Sequence, residues 1–87
     1  MRVNAFLKKI SEEIEMSIFN DRLKECRKNI GKTQLDVAFD LGLTERGYQN
    51  YEIGNYEPKM GTLNKLADYF DISVDYLMGR SDNPKRQ

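Results

Sequence analysis

Gln34-Leu35-Asp36-Val37-Ala38-Phe39-Asp40-Leu41-Gly42-Leu43-Thr44-Glu45-Arg46-Gly47-Tyr48-Gln49-Asn50-Tyr51-Glu52-Ile53 is the stretch on which the reading of this chain turns. Apolar residues recur at helical spacing on either side of Gly42, which predicts two short helices joined by a tight turn. The turn needs one residue in the left-handed region, and glycine takes that conformation without steric cost. Helices joined so closely cross at short range, so the first requires a small side chain at the crossing, and Ala38 supplies it. Val37, Leu41, Leu43, Tyr48 and Tyr51 are the positions expected to lock the pair together. Both tyrosine rings should be buried, with their hydroxyls reaching the edge of the core. The remaining face of the second helix, with Thr44, Glu45, Arg46, Gln49 and Asn50, is polar and points away from that core. Any two short helices in a bundle share part of this pattern, so the flanking sequence carries the decision.

On the far side, Glu52-Ile53-Gly54-Asn55-Tyr56-Glu57-Pro58 closes the second helix with a glycine just past its end and a proline soon after. Leu63, Leu66, Ala67 and Phe70 then repeat at helical spacing, and Val74-Asp75-Tyr76-Leu77-Met78-Gly79 follows. Upstream stand Arg22-Leu23-Lys24, Arg27, Gly31 and Thr33-Gln34. In this order, over roughly residues 19 to 79, the motifs resemble the phage repressor and Cro-like helix-turn-helix family, often called the XRE family. The resemblance implies an all-α, five-helix, lambda-repressor-like DNA-binding domain, usually acting as a transcriptional repressor and as a homodimer. Three positions depart from the family pattern: Gly47 stands where a small hydroxyl or alanine is commoner, and Tyr48 and Tyr51 replace smaller aliphatics. Glycine inside a helix costs about 1 kcal/mol against alanine. Its use is either a closer approach of the helix to DNA or simply one contact fewer.

Placed in a major groove, the helix around 45–53 would present its N-terminal residues to base edges. Arg46 can donate two hydrogen bonds to a guanine O6 and N7, a contact worth roughly 1–3 kcal/mol of discrimination; a phosphate contact is the competing role. Asn50, one turn on, can pair with adenine N6 and N7. Glu45 can accept from a cytosine amino group, or else it only favours the positive end of the helix dipole. Gln49 sits beside this face, within reach of phosphate or a thymine edge. The resemblance implies that Gln34 and its backbone N–H hold a phosphate. Thr33 and Thr44 hydroxyls can add to this, although capping alone explains both, and Asn55 and Lys59 would flank the DNA backbone. Tyr56 is read as an ordinary loop residue. Arg27 and Glu52 correspond to a partly buried salt bridge in similar repressors, a structural pair that touches no DNA.

Outside the motif, Phe6, Leu7, Ile10 and Ile14 alternate with Lys8, Lys9, Glu12, Glu13 and Glu15, which predicts a separate amphipathic helix over about residues 4–15. Ser17 or Asn20 is the expected cap of the next helix, which should run to about Asn29 and carries Phe19, Leu23, Cys26 and Ile30 on its apolar positions. Thr33 with Asp36 forms a capping-box start for the first motif helix, Thr44 caps the second, and Ser73 caps a short final helix after one spanning about Met60 to Phe70. The expected organisation is an N-terminal extension over 1–17, a DNA-binding domain over 18–80 and a flexible tail over 81–87. Residues 1–15 are either an upstream extension with no selected role or an added helix. An exposed stripe of four large apolar residues is unfavourable, so an ordered helix there must dock on its own domain or on a partner subunit.

Eighty-seven residues suffice for one modest core. No apolar run approaches a membrane span, no signal-peptide layout is visible at the N-terminus, and the single cysteine fits a reducing compartment, so a cytoplasmic protein without membrane partner is expected. Cys26 reads as a packed small hydrophobe. The 14 basic and 14 acidic residues cancel, although DNA-binding domains tend to be basic. Basic residues exceed acidic ones in 19–31 and 80–87. Acidic excess lies in 32–79, where Asp68, Asp71 and Asp75 suggest a solvated acidic helix face turned from DNA. A weak overall field implies modest non-specific affinity. Without histidine, a cysteine pair, a phosphate-cradling glycine loop or a serine paired with a base, the chain offers no catalytic or metal site and requires no cofactor. The serious alternative is an antitoxin or adaptor, a protein-interaction module on the same fold whose partner is unknown.

Overall fold

The computed structural model describes residues 5–86, with Glu15 described by its backbone alone. Five helices follow one another, and no strand forms among the described residues: α1 (Ala5–Asn29), α2 (Gln34–Leu41), α3 (Glu45–Ile53), α4 (Met60–Phe70) and α5 (Val74–Leu77). The fold is therefore all-α, as the motif order implied. One expectation fails at the N-terminal side. The separate first helix and its successor are a single 25-residue helix, and Ser17 and Asn20, expected to cap a second helix, lie in its interior. No glycine or proline interrupts residues 5–29, and extending a helix is cheaper than nucleating a new one.

The other helix starts follow local chemistry. At α2, Thr33 Oγ1 accepts from the Asp36 backbone N–H at 3.1 Å, while the Thr33 N–H donates to Asp36 Oδ2 at 2.9 Å, a reciprocal capping box. Those hydrogen bonds hold the Asp36 carboxyl below its ordinary value. Thr44 Oγ1 accepts from the Gly47 N–H at 3.0 Å and Ser73 Oγ from the Tyr76 N–H at 3.0 Å. Between α2 and α3, Gly42 adopts φ 71°, and the Leu43 N–H reaches back to the Ala38 carbonyl at 2.8 Å.

The core consists of Phe19 and Leu23 from α1, Val37 and Ala38 from α2, Tyr48 from α3, Leu63, Leu66 and Ala67 from α4, Ile72, and Leu77 from α5. Ala38, 1% exposed, stands at the α2–α3 crossing. Leu41, Leu43 and Tyr51 pack against this cluster half-buried, and Cys26 does likewise, its thiol pushed up first by burial. Ile30 is exposed instead, because α1 has already ended at Asn29. The acidic residues read as one helix face are divided: Asp68 lies on α4, Asp71 is the left-handed residue that ends α4, and Asp75 belongs to α5.

Residues 81–86, expected as a flexible tail, hydrogen-bond back to the helices. The Ser73 N–H donates to the Pro84 carbonyl at 3.0 Å, and Arg86 donates to the Ala67 carbonyl at 2.9 Å and pairs with Asp68. Arg86 thus adds a side-chain donor to a carbonyl of the last turn of α4 that already accepts the Ile72 N–H at 3.0 Å. From α1, the Arg22 guanidinium stacks over the Tyr76 ring, 4.1 Å from its centroid, and donates to the Ser81 carbonyl at 2.7 Å.

Candidate nucleic-acid interface

The α2–α3 corner holds α3 by one face only. Tyr48 is fully buried and Glu52 is 7% exposed, whereas Glu45, Arg46 and Ile53 are exposed and Gln49, Asn50 and Tyr51 lie between. At the far end Gly54 turns left-handed with φ 84°. That conformation favours glycine, and a Cβ there would also stand 2.6 Å from Asn20 Nδ2 of α1 and displace that amide.

A charged brace fixes this geometry. Arg27 Nε donates to Glu52 Oε2 at 2.7 Å and Nη2 to Oε1 at 3.1 Å, while Nη1 reaches the Lys32 carbonyl at 3.0 Å. The Gln34 amide nitrogen adds a bond to Glu52 Oε1 at 3.2 Å. One carboxylate therefore ties α3 to α1 and to the start of α2. Burial alone would raise the Glu52 carboxyl; the bonds from Arg27 and Gln34, with the Tyr48 hydroxyl alongside, outweigh it and hold the group below its ordinary value. The Tyr48 hydroxyl does not reach the edge of the core as expected. It is buried without a hydrogen bond of normal geometry, and burial followed by the Glu52 charge pushes its ionisation upward. A second cluster, Lys32–Asp40–Tyr69, joins the loop before α2 to α4: Lys32 Nζ lies 2.8 Å from Asp40 Oδ2, which also accepts from the Tyr69 hydroxyl at 2.5 Å.

The candidate contact residues occupy different situations. Arg46 and Glu45 stand on the first turn of α3, exposed and without a hydrogen-bond or ion-pair partner among the described residues. Gln49 is half-buried beside them. Asn50 is half-buried too, and its Oδ1 accepts from Asn55 Nδ2 at 3.3 Å, which ties the end of α3 to the following loop. Thr33 and Thr44 are exposed caps whose oxygens accept backbone N–H groups, so their own hydroxyl protons stay available. Lys59 precedes α4, exposed and without a side-chain cap bond. The structure thus joins Arg27, Glu52 and Gln34 in one network and pairs Asn50 with Asn55, but links none of Glu45, Arg46, Gln49 and Lys59 to one another by a hydrogen bond or ion pair among the described residues. Gln34 as a brace residue was missed; an amide facing a carboxylate eighteen residues away has no local signal.

Gly47 acquires a structural reason. A Cβ on it would lie 2.9 Å from Thr44 Oγ1, so a larger residue displaces the hydroxyl that caps the helix.

A family model described as Helix-turn-helix matches residues 23–77, more than half of the chain. The chain belongs to the helix-turn-helix family. A Bacillus subtilis (strain 168) member, the SPbeta prophage-derived uncharacterized HTH-type transcriptional regulator YonR, is 44% identical over 61 residues, covering 70% of this chain and 56% of that protein. The cryptic phage CTXphi transcriptional repressor RstR of Vibrio cholerae serotype O1 is 43% identical over 60 residues, covering 69% of this chain and 54% of its own length. The solution structure of the SOS-response transcriptional repressor LexA from Eubacterium rectale matches with a TM-score of 0.70 at 31% identity, over 74% of this chain and 68% of that one. This helix-turn-helix chain therefore spans a little over half the length of the curated relatives it matches. The family match begins at Leu23 and leaves the first eighteen residues of α1 outside it. No helix among the described residues is long and apolar enough to cross a membrane.

Proposed function

We propose that this protein binds double-stranded DNA sequence-specifically through the exposed face of α3 and regulates transcription as a repressor. The carrying observation is the division of α3 into a face locked by Tyr48 and Glu52 and a face on which Arg46 and Glu45 have no protein partner. An exposed guanidinium at the first turn of a braced helix is placed for bidentate contact with guanine O6 and N7, and Glu45 for the amino group of a neighbouring cytosine. Asn50 retains both amide protons and one lone pair for an adenine despite its bond to Asn55, and Gln49 flanks these readers.

Phosphate contacts fix the register. Gln34 uses one amide proton on Glu52, which leaves the other for a phosphate oxygen. The Thr33 and Thr44 hydroxyls, which accept from the helix, donate to the DNA backbone, and Asn55 and Lys59 approach it from the loop before α4. A homodimer on a two-fold operator, with half-sites about 34 Å apart, follows from one reading helix per copy. The reading needs no cofactor, metal or catalytic group and places the protein in the cytoplasm.

Selection of bound sequences from a random duplex pool tests this. The expected product is an enriched two-fold sequence whose affinity falls with salt through only a few released counterions. A pool that stays random after selection would reject DNA reading. The adaptor alternative draws support from Phe39 and Leu35, 83% and 58% exposed on the outer side of α2. It predicts capture of a protein by that surface, which Phe39→Ser abolishes without change in DNA binding.

A further inference from the structure

The N-terminal arm of α1 carries Phe6, Ile10 and Ile14 at 70%, 37% and 55% exposure, with Leu7 beside them. At about 100° of rotation per residue, this i, i+4, i+8 line lies roughly 170–180° from the line of Phe19, Leu23 and Cys26 that enters the domain. Further along α1 the stripe's own line is continued by Ser17, Asp21, Lys24 and Lys28, all exposed. The side of the arm facing the domain carries Glu12 and Met16, which line a groove with Glu57 and Met78, and Lys9 and Glu13 stand between that side and the stripe, bordering a second, open groove with Ile53, Gly54 and Glu57. Because α1 is unbroken, the stripe cannot reach its own domain without the helix breaking or turning by half a revolution. The occupant must come from elsewhere.

We infer that this stripe is the dimerisation surface, packed antiparallel against the same segment of a second copy, which deepens the homodimer reading above. Charge selects both partner and direction. Lys9 and Glu13, one turn apart, flank the stripe on the same side and have no ion-pair partner among the described residues. When two helices pack antiparallel about a two-fold axis, like flanks meet. Lys9 of each copy then faces Glu13 of the other, twice over, with the isoleucines interleaved about the axis. Parallel packing sets that flank against the opposite one and forms neither pair. The area is small: burying these three side chains in both copies removes on the order of 600 Å² from water, against roughly 1,200 Å² at the lower end of standard interfaces. The free protein is therefore a weak dimer, and a two-fold DNA site that holds both copies side by side raises its occupancy.

Sedimentation of the full chain from low-micromolar to millimolar concentration tests the surface without any reference to DNA, so failure to read DNA and failure to dimerise remain distinguishable. The wild type should self-associate reversibly. Ile10→Glu should weaken that association more than tenfold with the helix content and melting temperature of the domain retained. Lys9→Glu and Glu13→Lys should each weaken it alone, yet form a mixed dimer when combined, because every facing pair is then opposite in sign. Because Lys9 and Glu13 are on the surface, this exchange remains informative even if Ile10→Glu unravels the arm. A protein that stays monomeric at every concentration, an association indifferent to Ile10→Glu, or an exchange that gives no mixed dimer would each overturn the proposal.

Discussion

From Phe19 onward α1 drives its apolar side chains into the domain, and Arg27 near its end reaches across to Glu52; from Ala5 to Ile14 the same helix holds its apolar side chains in solvent. The backbone is continuous through both halves, so helix formation does not distinguish them. Packing does. The C-terminal half contributes two residues to the core and the cation that orients α3, whereas the N-terminal half touches little of its own domain. Damage to the C-terminal half should therefore appear as lost stability and, through α3, as lost recognition. Damage to the N-terminal half should leave the isolated domain intact.

The largest effect is expected at the brace. With its side chain 12% exposed against 2% for Glu52, Arg27 belongs to a pair whose rupture strands a charge. Arg27→Ala should cost about 3–5 kcal/mol and lower the melting temperature by more than about 10 °C in a domain of this size. Calorimetry showing an unchanged transition would remove the brace from the account. Next comes Arg46→Ala, which should forfeit roughly 1–3 kcal/mol of discrimination at one G·C pair in each half-site while the melting curve stays put. Loss of stability instead would mean that Arg46 holds the fold.

Acid should act through the same brace. The Glu52 carboxyl lies below its ordinary value of 4.5 in the folded chain, so its contribution to stability is complete above that value and disappears as pH falls through the lower, folded one. Stability measured by urea titration should decline below about pH 4.5, and Glu52→Gln, less stable at neutral pH, should decline less steeply. Some slope will persist, because Asp36 and Asp40 are also held below their ordinary values by their hydrogen bonds. An acid limb identical in the two proteins would contradict the assignment.

Smaller effects sharpen the contrast. Gly47→Ala gains about 1 kcal/mol of helix propensity and loses a comparable amount when the Thr44 cap is displaced, so thermal melts should coincide within the error of either term. Ile14→Ser on the arm should change monomer stability by less than about 0.5 kcal/mol, as at an exposed surface position. A large loss on urea unfolding of dilute protein would show the arm to be part of the domain's own core.

What could be read from the residues follows the range of the interactions. The α2–α3 corner was legible because its determinants are local: a threonine with Asp36 three residues on, a threonine before Glu45, and glycines at the two helix ends. The junction near Ser17 was not. Serine and asparagine favour caps only where a helix must start, and nothing here obliges the preceding helix to stop. Nor could spacing show that Gln34 faces Glu52, that the Tyr48 hydroxyl is buried beside it, or that Arg86 reaches the end of α4. Those partners are joined by the tertiary fold. The candidate readers Glu45, Arg46 and Gln49 were visible as a polar helix face, while the engagement of Asn50 with Asn55 was not.

The most direct measurement compares wild type and Arg46→Ala on the duplex selected by the wild type and on duplexes carrying each single base-pair change. The account predicts that wild type loses affinity at a G·C pair repeated by two-fold symmetry, and that the variant binds more weakly and has become indifferent at that pair alone. A variant that keeps full discrimination at every position would contradict the claim that the exposed turn of α3 reads the operator.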